Sequence, residues 1–134
     1  MRIDELSVGQ QAELQKVVTT HDVQVFADVS GDHNPVHFDA SYAEKTPFKG
    51  VIAHGMLSAS YISAIVGTIM PGEGTIYLGQ SLKFMAPVRI GDQVRTVVTV
   101  KELIKEKRRV ICDTSCYVGE TKVIEGEATL LVPA

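Results

Sequence analysis

One long run without a charged side chain constrains this 134-residue chain more than any other feature. No Asp, Glu, Lys or Arg occurs from position 50 to position 72, and the run is rich in apolar residues. A run of about 20 such residues can span a membrane. However, this one contains His54 and several serines, and a helix over about 53–68 would be about 24 Å long, shorter than the ~30 Å hydrocarbon core. We therefore expect a helix that is buried by protein.

The small residues of this helix recur at a helical spacing. Gly55, Ala59, Ser63 and Gly67 are four positions apart and form a narrow, smooth stripe along one face. Larger apolar residues occupy the other sides, which is typical of a core helix. The stripe predicts that another group approaches the helix backbone closely. The sequence Met-Pro-Gly at 70–72 then ends the helix.

The segments on either side of this helix differ in their pattern. The N-terminal part predicts a strand over about 12–18, a helix that begins near Thr20 and Asp22 and ends at Ser30-Gly31, and short helical turns over 40–45 that Asp39 caps. The C-terminal part predicts four strands separated by turns, over 75–84, 93–103, 109–118 and 122–132. One strand, then helices, then an antiparallel run of strands indicates an α+β fold. We expect a single domain over residues 1–134, with one long helix lying in the curve of one sheet.

Composition excludes several classes of function. The net charge is −3 and no basic patch occurs, so we expect no nucleic-acid partner. Cys112 and Cys116 are four residues apart in a predicted strand, about 13 Å from each other, so they cannot form a disulfide within it. Reduced thiols, together with an N-terminus that lacks an apolar signal region, predict a cytoplasmic protein without a membrane span.

The segment 26–37, FADVSGDHNPVH, contains the first candidate for chemistry. Asp32 and His37 are five positions apart, on a loop shaped by Gly31 and by the pair Asn34-Pro35, which is incompatible with a regular helix. A carboxylate and an imidazole placed in this way can form a proton-transfer pair. They can equally serve only the hydrogen bonds of the turn, and the loop alone does not decide between these interpretations.

Metal binding and serine nucleophilicity are both disfavoured. Three of the four histidines, His33, His37 and His54, are close in sequence, but His33 and His37 have ligand spacing only in a helix that Asn34-Pro35 prevents. We expect no metal and no cofactor. The serines of the long helix lack a Gly-x-Ser-x-Gly elbow, so Ser63 is not expected to be a nucleophile.

The segment Ala53-His54-Gly55-Met56 opens the long helix and is the second candidate. A helix N-terminus presents unpaired N–H groups and partial positive charge, and a glycine there lets a ligand oxygen reach the amide. The alternative is an N-terminal turn that needs glycine for packing.

Taken together, the sequences FADVSGDHNPVHFD, VIAHGM and YLGQSLKFMAPVRIGD resemble the MaoC-like (R)-specific enoyl-CoA hydratases, in particular the single-domain bacterial type that supplies polyhydroxyalkanoate synthesis. The resemblance covers nearly the whole chain, and its most specific motif is Asp-x4-His with Asn-Pro between. It implies a hot-dog fold, in which an antiparallel sheet wraps around a central helix, and a homodimer that acts on acyl-CoA thioesters. It also implies hydration of trans-2-enoyl-CoA to (R)-3-hydroxyacyl-CoA without a cofactor.

By position, the resemblance makes Asp32 and His37 the catalytic pair, Gly55 the oxyanion-binding residue and Ser63 a supporting residue. We also expect Asn34 to be a substrate-binding residue. The chemistry agrees, because hydration of a conjugated thioester needs a base for water, a proton for Cα and a donor for the enolate oxygen. Three alternatives keep the fold: a 3-hydroxyacyl-ACP dehydratase, a non-catalytic acyl-CoA-binding module and a thioesterase.

Overall fold

The computed structural model describes residues 1–134 and contains one six-stranded antiparallel sheet with three α-helices. The helices are Thr20–Ser30 (α1), Ala40–Glu44 (α2) and Gly55–Thr68 (α3), and short 3-10 turns cover Ile3–Glu5, Pro35–His37 and Lys105–Lys107. The strands are Gln11–Val17 (β1), Ile76–Gln80 (β2), Lys83–Phe84 (β3), Gln93–Ile104 (β4), Arg109–Val118 (β5) and Thr121–Leu131 (β6). The strand order is β1-β4-β5-β6-β2, and β3 also pairs with β6.

Helix α3 packs against β1, β4 and β5, and its larger side chains fill the concave side of the sheet. Ile62 and Ile65 are completely buried there. The inward-facing residues of the strands alternate with half-buried ones, as in β4, where Val94, Thr96, Val98 and Val100 are buried. This is the predicted arrangement of one long helix in the curve of one sheet. No helix is long and apolar enough to cross a membrane.

The helix that we expect to be buried by protein is only partly covered in the single chain. Gly55, Ser63 and Gly67 of the small-residue stripe are exposed, and only Ala59 is buried. The helix also begins at Gly55, two residues later than predicted, with His54 as its N-cap residue. An uncharged face of α3 therefore lies open beside the substrate-sized cavities described below.

Local capping signals place the smaller helices as the sequence predicts. The Thr19 side chain accepts a hydrogen bond from the Asp22 N–H, and Asp22 accepts one from the Thr19 N–H, so the two residues form a capping box at the start of α1. Gly31 ends α1 in the left-handed conformation with φ of 83°. The Asp39 side chain caps α2 by accepting a hydrogen bond from the Tyr42 N–H.

The single strand predicted over 75–84 is wrong, because the structure divides it into β2 and β3. The Ser81 backbone crosses β6 so closely that a Cβ added to Gly126 would lie 1.9 Å from the Ser81 carbonyl oxygen. The Ser81 hydroxyl accepts a hydrogen bond from the Glu127 N–H, and the Ser81 N–H donates to the Glu127 carbonyl. A glycine therefore permits the crossing that ends β2.

This crossing gives a direct test of stability. We expect Gly126→Ala to destabilise the fold by about 1–3 kcal/mol, because the new methyl group meets a backbone oxygen that cannot move away alone. Gly79→Ala is the matched control in β2, since a Cβ there meets nothing within 4 Å. We expect the control to change the free energy of unfolding by less than about 0.5 kcal/mol. Urea unfolding measures both, and equal effects would contradict this account.

Candidate active site

The loop that follows α1 is held in shape by its own side chains. The Asp32 N–H donates to the Ser30 hydroxyl, and the Asn34 N–H donates to Asp32 Oδ1 at 3.2 Å. Asn34 Oδ1 in turn accepts a hydrogen bond from the Val36 N–H, which begins the 3-10 turn Pro35–His37. Asn34 is therefore engaged in shaping the loop, and it does not line the cavity that contains Asp32. Asp32 itself is exposed.

His37 has a defined tautomer because its partner is a carbonyl. Its Nδ1 donates to the Ile52 carbonyl oxygen at 2.7 Å, and a carbonyl can only accept. In the neutral ring, Nε2 therefore carries the lone pair. Burial lowers the pKa of His37 from its usual 6.5 and His54 lowers it further, while the Ile52 bond and the charge of Asp32 raise it less. His37 is thus neutral at pH 7, with Nε2 ready to accept a proton.

Gly55, at the start of α3, borders the same cavity as Asp32. Its N–H has no acceptor within the chain, as expected for the first turn of a helix. A Cβ at this position would lie 2.7 Å from the ring of Phe84, so glycine is needed for packing and also leaves the amide accessible. The cavity has a volume of about 400 Å³ and mostly apolar walls. A group bound there meets Asp32 and the Gly55 amide together.

Ser63 lies in a neighbouring cavity and not beside the acidic residue. Eight residues separate it from Gly55, which is about 12 Å along a helix. Its cavity, of about 480 Å³, is also bordered by Tyr77 and Leu82, and Met56 lines both cavities. The structure therefore places Asp32 and Gly55 on one cavity, with His37 close to Asp32, and places Ser63 on a second cavity that shares Met56 with the first.

His54 belongs to the polar cluster, although sequence reasoning assigned it no role. Its ring is 2% exposed and stacks on His37 with 3.8 Å between centroids and 29° between planes. Its Nε2 donates to the Asp32 carbonyl oxygen at 2.9 Å. The sequence feature that points to His54 is its position next to Gly55, close to His33 and His37.

Asp32, His37 and His54 offer three possible metal-ligand atoms within 4.8 Å of one another, whereas His33 lies apart and pairs with Asp28. One nitrogen of each clustered ring is already used by a backbone carbonyl. Each ring therefore has only its second nitrogen free for a ligand. This arrangement suits a neutral acid/base pair better than a metal centre.

Comparisons with known proteins agree with this geometry. A family model described as "MaoC like domain" matches residues 5–125. The (R)-specific enoyl-CoA hydratase of Rhodospirillum rubrum is 53% identical over 131 residues, which cover 98% of this chain and 91% of that protein.

Two solved structures share the whole fold. The unliganded R-hydratase PhaJ1 of Pseudomonas aeruginosa superposes with a TM-score of 0.92 and 47% identity, covering 98% of this chain and 85% of that one. The (R)-hydratase from Aeromonas caviae, described as involved in PHA biosynthesis, also has a TM-score of 0.92, with 42% identity and coverage of 96% and 98%. The hot-dog fold is thereby confirmed, and the chain belongs to the MaoC-like domain family.

Proposed function

We propose that this protein is a hydro-lyase that reversibly hydrates trans-2-enoyl-CoA to (R)-3-hydroxyacyl-CoA. The observation that carries the proposal is that the Asp32 carboxylate and the unpaired Gly55 N–H border one apolar cavity, while a ring nitrogen of His37 lies within 4.8 Å of that carboxylate. The relatives that match over nearly the whole chain bear the same activity in their names. Because the product is an (R)-3-hydroxyacyl thioester, we also propose that the protein supplies polyester synthesis. The Aeromonas relative is described as involved in PHA biosynthesis.

The proposed reaction starts with a water molecule held between Asp32 and His37. Both groups accept hydrogen bonds, so the water oxygen turns its lone pair toward Cβ of the enoyl thioester. As the C–O bond forms, one proton leaves the water for this pair, and the electron pair of the double bond moves to the thioester oxygen. The Gly55 N–H, at the positive end of α3, stabilises that oxygen. The pair then returns a proton to Cα, so the enzyme ends in its starting state.

The thioester tail fits the apolar path along α3. The cavity at Gly55 and the cavity at Ser63 share Met56, so an acyl chain bound at the first can extend toward the second. Leu82 lies on this path, whereas Ile65 faces the core and Tyr61 faces the α1 side of the helix. We propose that Ser63 contacts the chain or the thioester without acting as a nucleophile, and that no metal or nucleotide cofactor takes part.

We further propose a cytoplasmic homodimer that forms along β2. This strand is at the edge of the sheet, pairs only with β6 and exposes Ile76 and Leu78. Unpaired edge strands with apolar side chains associate with other strands, and a second copy of β2 offers the same surface by symmetry. The open face of α3, including Met56 and Ser63, continues this surface.

The catalytic pair is tested by two conservative substitutions. Asp32→Asn and His37→Asn should each lower kcat on crotonyl-CoA by ~10²–10⁴, because each removes one proton acceptor. In His37→Asn the amide nitrogen replaces Nδ1, so the bond to the Ile52 carbonyl can persist. The loss of the conjugated absorbance measures the rate, and Asp28→Asn, an exposed carboxylate outside the cavity, is the control.

The wild-type enzyme should stay active in the presence of a chelator and should form the (R) product. It should also act faster on CoA thioesters than on ACP thioesters. Near wild-type turnover in either variant would show that the pair is wrongly assigned. Binding without product would favour the acyl-CoA-binding module, and release of free thiol would favour a thioesterase.

The role of the Gly55 amide can be tested separately from the packing of residue 55 against Phe84. Gly55→Ala and Gly55→Pro both place a Cβ against Phe84, but only proline removes the N–H, and proline is tolerated at the first position of a helix. We expect the proline variant to have a kcat ~10²–10³ lower than the alanine variant, which is the usual effect of one oxyanion donor. Equal rates in two folded variants would remove the amide from the mechanism.

The dimer interface is tested by charge. Ile76→Lys combined with Leu78→Lys should convert a dimer into a 14.5-kDa monomer, because lysine on an edge strand opposes pairing. Val29→Lys replaces an equally apolar residue that is 83% exposed on α1, and should leave the dimer intact. Analytical ultracentrifugation distinguishes the species. A wild-type monomer, or a dimer that survives the double substitution, would exclude this interface.

A further inference from the structure

His54 connects the two proposed catalytic residues but has no part in the reaction as written above. It is buried at the start of α3, between the aromatic rings of Phe26, at 4.9 Å, and His37, at 3.8 Å. Its Nε2 donates to the Asp32 carbonyl. No other hydrogen bond joins Asp32 to a residue outside its own loop. One imidazole thus contacts both members of the pair.

Neither nitrogen of His54 is available to a substrate. Nε2 carries the proton that the Asp32 carbonyl accepts, and in the neutral ring Nδ1 therefore holds the lone pair. Nδ1 is fully buried and has no partner in the chain. The neighbouring Ser58 hydroxyl, one helical turn along, is likewise buried and unpartnered. His54 is therefore placed to support other residues and not to exchange protons with a bound ligand.

The two contacts restrain different degrees of freedom. The hydrogen bond to Asp32 fixes an exposed loop to the rigid start of α3. The stacking contact fixes the plane of the His37 ring, whose Nδ1 is already held by Ile52. Together they determine where the Asp32 carboxylate and His37 Nε2 lie relative to each other, and hence where a shared water sits.

We propose that His54 is a positioning residue, which holds Asp32 and His37 at their working separation through one hydrogen bond and one stacking contact. The inference rests on the proposed hydratase function for its kinetic consequences. Its geometric content, namely the tautomer and the contacts of His54, does not depend on that function.

Two substitutions separate the contacts. His54→Gln can keep a donor near the position of Nε2 but loses the stacked ring, whereas His54→Phe keeps an aromatic ring and loses the donor. Each should lower kcat with KM nearly unchanged, and ~10²-fold is the usual loss when reacting groups shift by about 1 Å. His54→Ala loses both contacts and should be slower than either. The control is His33→Asn, an exposed histidine in the same loop, which should keep wild-type kcat.

The pH profile gives a readout that a purely structural role would not move. The titratable groups that act on His37 are Asp32, from the loop, and His54, from the start of α3; the former raises the pKa of His37 and the latter lowers it. His54→Phe keeps the burial but removes the second influence. The pKa of His37 should then rise, and the acidic limb of kcat/KM should move to higher pH, because His37 accepts a proton only while neutral.

The ring nitrogens can also be observed directly in the wild-type protein without substrate. Two-dimensional ¹H–¹⁵N spectra at neutral or higher pH should show the Nε2–H tautomer for His54 and the Nδ1–H tautomer for His37. An Nδ1–H tautomer of His54 would overturn the inference, even if every variant failed to fold. So would His54→Phe and His54→Gln proteins that melt like the wild type and keep its kcat and pH profile. If the wild type lacked hydratase activity, the proposed function would fail while the spectra still decided the geometry.

Discussion

The burial of a helix that has no charged side chain is the constraint on which the rest of the structure depends. Most of the large apolar side chains of this helix are on one side, so the sheet curls around that side and takes up residues such as Ile62 and Ile65. Each such side chain contributes about 1.5–3 kcal/mol when it is fully buried. The sheet covers one side of the helix and leaves its first turn and the small-residue face open. The N–H groups that the helix itself cannot satisfy therefore open into a cavity instead of the core.

Two backbone carbonyls then determine the chemistry available at this end of the helix. The Ile52 carbonyl fixes the proton of His37 on Nδ1, and the Asp32 carbonyl fixes that of His54 on Nε2. Because carbonyls only accept, the chain path assigns the tautomers without any charged partner. His37 cannot donate a proton from Nε2 until it has first accepted one. This limits the ways in which Asp32 and His37 can share the proton transfers. In the hydration that we propose, both residues begin as acceptors toward water.

The parts of the molecule that sequence predicts well are those determined by neighbours in the chain. The capping box at Thr19 and Asp22, the left-handed Gly31 and the Asp39 cap each depend on residues within four positions. The parts predicted poorly depend on distant pairs. The break after β2 arises where Ser81 crosses Gly126. The residues around Ser81 in the sequence do not indicate that a glycine in β6 leaves room for this crossing.

The candidate site divides in the same way. A motif match selects Asp32, His37 and Gly55, and the structure places Asp32 and Gly55 on one cavity with His37 close to Asp32. The stacking of His54 on His37 and the separate cavity of Ser63 follow only from how the loop folds back on α3. The spacing of residues in the sequence predicts neither this stacking contact nor the position of Ser63 in a second cavity.

The uncharged helix also connects stability with reactivity. The apolar surroundings that stabilise α3 also bury His37, and burial is the largest influence that lowers its pKa. A lower pKa makes the imidazole a weaker base but keeps it neutral at pH 7, when a charged ring could not accept a proton. The mostly apolar walls of the cavity strengthen the interaction between a developing oxyanion and the Gly55 N–H. A charged residue at a buried position of the first turns of α3, such as Leu57 or Ser58, would thus weaken both the fold and the site.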